Sequence, residues 1–125
     1  MVLFVKKNAL LSALEGAKNL YPNEFIALFR GEEKGKQVVL TELIIPPFSH
    51  YEESSSSFSD YFLPANVSAE ASFHSHPSAN SSFPSAQDKR FFERMRFHFI
   101  ASCPFRMEDV NAFDSKARRV DYQII

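Results

Sequence analysis

Two histidines separated by one residue, His74 and His76, are the strongest chemical signal in this sequence. Successive side chains on a β-strand point to opposite faces, so these two imidazoles would project from the same face. Their Cβ atoms would lie about 6–7 Å apart, twice the rise per residue of a strand. At that separation the two rings can converge on one metal ion. Pro77 lacks a backbone N–H and is expected to end the strand just after the second histidine.

A carboxylate follows the two histidines at short range. Asp88 lies three residues after Ser85, in the first turn of a helix that the apolar spacing predicts over 85–97. It shares a helix face with Phe91 and Met95, which should pack inward, and an inward carboxylate needs a cation or hydrogen-bond donors. Two histidines and one carboxylate, with a fourth position left for water, are typical of a catalytic zinc site.

Each of these features also has a simpler interpretation. A His-x-His pair on a strand is weak evidence by itself, since such histidines are often surface residues or hydrogen-bonded polar residues. The spacing of Ser85 and Asp88 can be a helix cap, in which the serine hydroxyl accepts a hydrogen bond from a backbone N–H. For Ser85 taken alone the capping interpretation is preferred. Capping does not exclude Asp88 as a metal ligand.

Hydrolysis at a metal site also needs a base, and the chain has no HExxH motif to supply one. Glu70 shares a strand face with His74 but lies about 13 Å away at the strand rise. Glu93 lies roughly 140° further round the predicted helix than Asp88. Glu24 precedes an apolar strand, where partial burial would raise the pKa of its carboxyl. From position alone, an exposed glutamate in a Pro-Asn turn is the preferred interpretation of Glu24. The full set of candidates is Glu15, Glu24, Glu32, Glu33, Glu42, Glu52, Glu53, Glu70, Glu93 and Glu108.

The elements that must position these residues follow from apolar periodicity and from turn residues. In chain order the sequence predicts an edge strand or helix lead-in at 2–5, a helix over 6–20, strands over 25–29 and 37–45 with a turn at 31–35, a loop over 49–60, a sheet segment at 61–63, a strand over 70–76, a loop over 77–84, the helix over 85–97, a strand over 98–103 and two strands within 110–125. Strands outnumber helices in a mixed order. This predicts an α/β fold, an α+β sandwich with a central antiparallel or mixed sheet flanked by helices.

Composition narrows the class of protein. A length of 125 residues fits a single domain over 1–125 with one core, and the 14 phenylalanines predict that this core is rich in aromatic rings. A net charge of −1 without a basic stripe argues against nucleic-acid binding. The lone Cys103 excludes an intramolecular disulfide and CxxC metal sites. No membrane span or secretory signal is recognised, so a cytoplasmic protein is expected.

The segment 74–88 resembles the complete signature of the JAMM (MPN+) zinc metalloprotease family, H-[ST]-H-P-x7-S-x2-D. Every defined position is matched by HSHP at 74–77, Ser85 and Asp88. The compact chain is similar to stand-alone prokaryotic members. The family also has a catalytic glutamate near the start of an early strand after the first helix, a place that Glu24 occupies here. The resemblance covers most of the chain and is weakest over 48–67 and at the C-terminus.

The resemblance implies a JAMM/MPN fold of the cytidine-deaminase-like type and a zinc-dependent peptidase. It implies one Zn²⁺ per chain held by His74, His76 and Asp88, with Glu24 as general base and acid and Ser85 as a donor to the oxyanion. The implied substrate is an isopeptide or peptide bond at the C-terminus of a ubiquitin-like small modifier or sulfur-carrier protein. The oligomeric state stays open, a homodimer included.

Two other functions compete with this one. A non-catalytic MPN-type scaffold would use the same fold, but such proteins typically lack one or more of the metal residues, all of which are present here. A related metal hydrolase acting on another amide, or within the DNA-repair-associated RadC-like group, is the second alternative, and the charge argues against DNA. A ubiquitin-like tail is extended and could add as a strand beside the site. The polar loop over 49–60 is then expected to cover it, whereas His98 and Cys103 are expected to be a strand residue and a buried thiol.

Overall fold

The computed structural model describes residues 1–45, 50–51, 56–57, 69–77 and 95–125 of the chain. Most of the predicted helix over 85–97, the predicted sheet segment at 61–63 and the predicted loop after Pro77 therefore lie outside the described residues, as do Ser85 and Asp88. Phe97, at the end of that predicted helix, belongs instead to a strand. In the described parts of the chain, no helix combines the length and the hydropathy needed to cross a bilayer.

The described residues form one long helix, which follows the first strand in the chain and precedes all the other strands. The described elements are β1 (Val2–Val5), α1 (Lys7–Leu20), β2 (Ile26–Lys34), β3 (Gln37–Ile44), β4 (His50–Tyr51), β5 (Ser56–Ser57), β6 (Ala69–His76), β7 (Phe97–Ser102), a 3₁₀ turn (Met107–Asp109), β8 (Val110–Asp114), β9 (Arg119–Val120) and β10 (Gln123–Ile124). The main sheet has the order β10-β1-β3-β2-β6-β7-β8-β9. Its β1 is parallel to β3 and β10, and β6 is parallel to β7. The remaining pairs of this sheet are antiparallel, so the predicted α/β class with a mixed sheet is confirmed.

The helix α1 packs on one face of this sheet, and the predicted apolar stripe is the reason. Its buried side chains recur at the three- and four-residue spacing of a helix face; they are Ala9, Leu10, Ala13, Leu14 and Ala17. Phenylalanines from the sheet complete the same core, and Phe29 makes edge-to-face contacts with Phe73 and Phe99. Among the described residues, seven of the eight phenylalanines are buried, which agrees with the predicted core rich in aromatic rings.

One helix position is kept small by this packing. A Cβ added at Gly16 would lie 2.6 Å from two ring carbons of Phe25, which is 3% exposed. A Gly→Ala change inside a helix normally gains about 1 kcal/mol. We expect Gly16→Ala to destabilise the protein instead, because overpacking a closed core costs about 1–3 kcal/mol. Thermal unfolding checks this, with Ser12→Ala on the exposed side of α1 as the control. A higher melting temperature for Gly16→Ala than for the parent protein would contradict the packing argument.

The hairpin of β2 and β3 corrects the predicted turn at 31–35. β2 continues to Lys34, and the turn is made by Gly35 and Lys36. Gly31 lies inside the hairpin at a register shift, where an added Cβ would be 2.6 Å from the carbonyl oxygen of Val39. Gly35 has a φ of +60°, a conformation that favours glycine. The two glycines therefore have different roles, a close backbone approach and a turn, which their spacing did not distinguish.

Two other predictions from the sequence need correction. The loop predicted over 49–60 contains an antiparallel ribbon, because His50–Tyr51 pairs with Ser56–Ser57. Two strands can pair through their backbones without alternating apolar residues, so the sequence pattern does not predict this ribbon. The C-terminal region has three short strands rather than two. The last of them, β10, pairs with β1, which consequently lies inside the sheet and not at its edge.

Candidate metal centre

The strand β6 separates two different environments. On one face, Ala71 and Phe73 belong to the main core beneath α1. On the other face, β6 carries Ser72, His74 and His76, and the neighbouring strand β2 contributes a small separate cluster that contains Ile26 and Leu28. These three polar side chains of β6 are therefore held on the sheet face away from α1.

Both histidines of the predicted pair lie on that face and are buried. His74 is 5% exposed and His76 is 9% exposed, and the Nε2 atom of His74 exposes less than 1 Å². The expected strand position and shared face are thus found in the structure. Imidazole side chains on one strand face supply nitrogen ligands of the kind that zinc prefers. This pair can supply two ligands to one ion.

Glu24 lies two residues before the neighbouring strand β2. The register pairs Ile26 with His74, and the Ser75 N–H donates a 2.9 Å hydrogen bond to the Phe25 carbonyl. Glu24 is therefore the residue that precedes Phe25, whose backbone is bonded to the serine between the two histidines. Glu24 is half-buried, so the exposed turn position preferred from its location in the sequence is not what the structure has.

A serine hydroxyl holds the backbone next to Glu24. The Phe25 N–H donates a 2.6 Å hydrogen bond to Ser75 Oγ, and Ser75 is 1% exposed. No local signal in the sequence identifies this contact, since the two residues are 50 positions apart.

A second buried hydroxyl lies on the histidine face of β6. Ser72 Oγ is hydrogen-bonded to His98 Nδ1, and His98 Nε2–H donates to the Met95 carbonyl at 3.2 Å. Ser72 and His98 are both fully buried. In the neutral ring the Ser72 hydroxyl is then the donor. His98 is accordingly a strand residue with structural partners, as predicted.

Other candidates lie away from this centre. Glu70 is near the start of β6, with a carboxylate oxygen 3.6 Å from an Arg96 nitrogen, and this agrees with its exclusion on distance. Cys103 is a partly buried free thiol packed against the main core, on the α1 side of the sheet. Its N–H donates to the His76 carbonyl at 3.2 Å, so its contribution to this region comes from its backbone.

The histidine pair fits a metal in donor type and burial, but it is not a complete ligand set. Among residues 1–45, 69–77 and 95–125, no group of three His, Cys, Asp or Glu side chains is placed to hold an ion. Asp88, predicted as the third ligand, and Ser85, predicted as the oxyanion donor, are outside the described residues. Their roles stay predictions.

Comparison with known proteins agrees with this architecture. Residues 6–116 match the family described as prokaryotic homologs of the JAB domain. A Haloferax volcanii protein named "probable metalloprotease" is 30% identical over 99% of this chain and 80% of that protein.

Solved structures give the same result. A JAB1/MPN domain protein from Archaeoglobus fulgidus is 29% identical with a TM-score of 0.73, over 100% of this chain and 99% of that one. A structure described as "JAMM: a metalloprotease-like zinc site in the proteasome and signalosome" is 28% identical with a TM-score of 0.71, over the same shares of both chains. A Desulfitobacterium hafniense protein, 23% identical with a TM-score of 0.67 over 99% of this chain and 92% of that one, shares the fold.

The match covers nearly the whole chain, and it includes both the strand that carries the histidines and the helix that precedes Glu24. The chain belongs to the prokaryotic homologues of the JAB domain, and it is a JAMM/MPN-type, metalloprotease-like domain.

Proposed function

We propose that this protein is a zinc-dependent peptidase that cleaves the peptide or isopeptide bond at the C-terminus of a ubiquitin-like small modifier or sulfur-carrier protein. The observation that carries the proposal is the buried pair His74 and His76 with Glu24 just before the adjoining strand. Two imidazole nitrogen donors and a carboxylate are the side-chain types of a catalytic zinc site with its general base.

The proposed metal site is completed by Asp88, with one zinc ion per chain. Zinc in such a site would act as a Lewis acid towards the scissile carbonyl. It would also lower the pKa of a bound water, so that hydroxide is available as the nucleophile near neutral pH. His74 and His76 would be the two nitrogen ligands, and both are buried residues of the strand β6. The family membership and the wording of the relatives' names support zinc as the metal.

The proton transfers are assigned to Glu24. Its carboxylate accepts a proton from the attacking water and returns it to the leaving amine nitrogen. General acid–base catalysis of this kind typically contributes about 10²–10⁴-fold to a rate. The Ser85 hydroxyl is proposed to donate a hydrogen bond to the developing oxyanion, a contribution worth about 2.7–4 kcal/mol in comparable sites.

The substrate class rests on the resemblance to JAMM proteins. A ubiquitin-like tail is extended and could bind by adding a strand beside the site, where backbone hydrogen bonds do not depend on side-chain identity. The segment 49–60 is the proposed cover for that tail. A cytoplasmic location goes with this substrate and with the single free cysteine.

The activity is tested by loading the purified chain with zinc and incubating it with linear fusions and lysine-linked conjugates of ubiquitin-like modifiers. We expect cleavage directly after the modifier's C-terminal residue, stoichiometric zinc, and loss of cleavage with a chelator. Mass spectrometry of the products locates the bond that was cut.

The same experiment separates the alternative functions. A non-catalytic MPN-type scaffold would contain no stoichiometric zinc and would leave every conjugate intact. A zinc-loaded protein that hydrolyses small amides but no modifier conjugate would favour the other hydrolase activity and contradict the proposed substrate.

A further inference from the structure

We infer that Ser75 is a positioning residue for the general base, holding the backbone beside Glu24 through the hydrogen bond from Phe25 N–H to Ser75 Oγ. The inference rests on the proposed function of Glu24 and extends it to a residue that binds neither metal nor substrate. Its starting observation is the 2.6 Å contact between the start of β2 and the strand that carries both histidines.

The acceptor in this contact is unusual for its place in the sheet. Phe25 and Ser75 each lie one residue beyond Ile26 and His74, the last pair of the strand register, and are hydrogen-bonded to each other. In a regular antiparallel ladder, two such residues exchange both backbone hydrogen bonds. Here the Ser75 N–H donates to the Phe25 carbonyl at 2.9 Å, but the Phe25 N–H donates to the serine side chain. The hydroxyl therefore stands in for a carbonyl at the point where β2 begins.

The ring and the backbone of Phe25 make contacts with different parts of the structure. The ring is 3% exposed and packs near Gly16 of α1 and against Phe73, with ring centroids 6.0 Å apart. The ring is thus anchored in the main core. The backbone N–H is bonded to Ser75 of β6 and so fixes the position of the chain just before β2 begins. Glu24 is the next residue towards the N-terminus.

Ser75 also lies between the two proposed ligands. The same short segment of β6 therefore carries both histidines and contacts the backbone next to the proposed general base. His74 and His76 project from the face away from α1, and Ser75 reaches the neighbouring backbone from between them. A loss of the hydroxyl would leave the histidines on their strand but release the segment that carries Glu24. A misplacement of about 1 Å at a reacting group can cost about 100-fold in rate.

The test compares Ser75→Ala with Ser75→Thr, which retains a hydroxyl at the same position. We expect Ser75→Ala to bind zinc stoichiometrically, to keep its KM for a modifier conjugate and to lose about 100-fold in kcat. Amide hydrogen exchange at Phe25 should become about 10-fold faster in the metal-free protein as well. Ser75→Thr should restore both the rate and the protection of that amide.

Two controls distinguish positioning from a general loss of stability. Ser72→Ala removes another buried hydroxyl from the same strand and should leave kcat within about 2-fold, since its partner His98 is not part of the proposed chemistry. In a Glu24→Gln background, Ser75→Ala should cause no further fall in the residual single-turnover rate, because residues that act as a unit are not additive.

The outcomes also separate this inference from the function on which it rests. If the wild-type protein is active and Ser75→Ala is equally active, the positioning role alone is overturned. The same holds if Ser75→Ala lowers the rate by the same factor in the Glu24→Gln background as in the wild-type protein. A zinc-loaded wild-type protein without peptidase activity would overturn the proposed function and the catalytic part of this inference together.

Discussion

Glu24→Gln is expected to keep zinc at one ion per chain and to lower the rate of conjugate hydrolysis by about 10²–10⁴-fold. The amide has nearly the same shape as the carboxylate but cannot accept a proton from water. Because Glu24 precedes β2 and is only half-buried, the change should disturb neither the sheet nor the histidines. Zinc content by mass spectrometry and single-turnover kinetics provide the two measurements.

The matched control is Glu70→Gln. This glutamate is on β6 at the end away from the histidines, within 3.6 Å of Arg96. The same chemical change there should leave hydrolysis unaltered, because exposed or partly exposed ion pairs contribute little to stability. Retained activity in Glu24→Gln, or loss of its zinc, would remove Glu24 from the mechanism and direct attention to the glutamates of the segment 49–60.

His74→Ala is expected to remove the metal and, with it, all detectable hydrolysis. Changing a residue that merely orients a ligand typically costs 10–100-fold in metal affinity, so we expect loss of a ligand itself to cost more than about 100-fold. His74 is also the more deeply buried of the two histidines, at 5% against 9% exposed. Competition with a chromophoric chelator measures the affinity directly, without recourse to activity.

Ser72→Ala is the control for this experiment too. It lies two residues from His74 on the same face of β6 and should lose about 1–3 kcal/mol of stability, because it leaves the buried His98 ring without its hydroxyl partner. It should nonetheless bind zinc as tightly as the parent protein. Equal zinc affinity in His74→Ala and in the parent protein would show that zinc binds at another site.

Much of the secondary structure could be predicted because it depends on local periodicity. The helix predicted over 6–20 is α1, and the strands predicted over 37–45, 70–76 and 98–103 correspond closely to β3, β6 and β7. Each of these segments presents one or both faces to a core, so its apolar pattern reflects its structure.

The errors occur where local pattern and tertiary structure diverge. Gly31 resembled a turn residue but lies within a hairpin, because a strand from the same hairpin approaches its backbone too closely for a Cβ. The segment 123–124 has nothing in its own sequence to indicate that it pairs with β1, almost the whole chain away. A contact between distant segments depends on register and sheet order, which no short window of sequence contains.

The candidate site divides in the same way. The sequence by itself determined that two imidazoles share one face of a strand, since alternation is a property of any extended backbone, and the spacing to Ser85 and Asp88 indicated the family. Only the tertiary structure decided that the start of β2 lies beside His74 and that Ser75 bonds to Phe25, 50 residues earlier in the chain. Both contacts exist because β2 and β6 pair antiparallel in one register, and shifting that register by one residue would break both contacts.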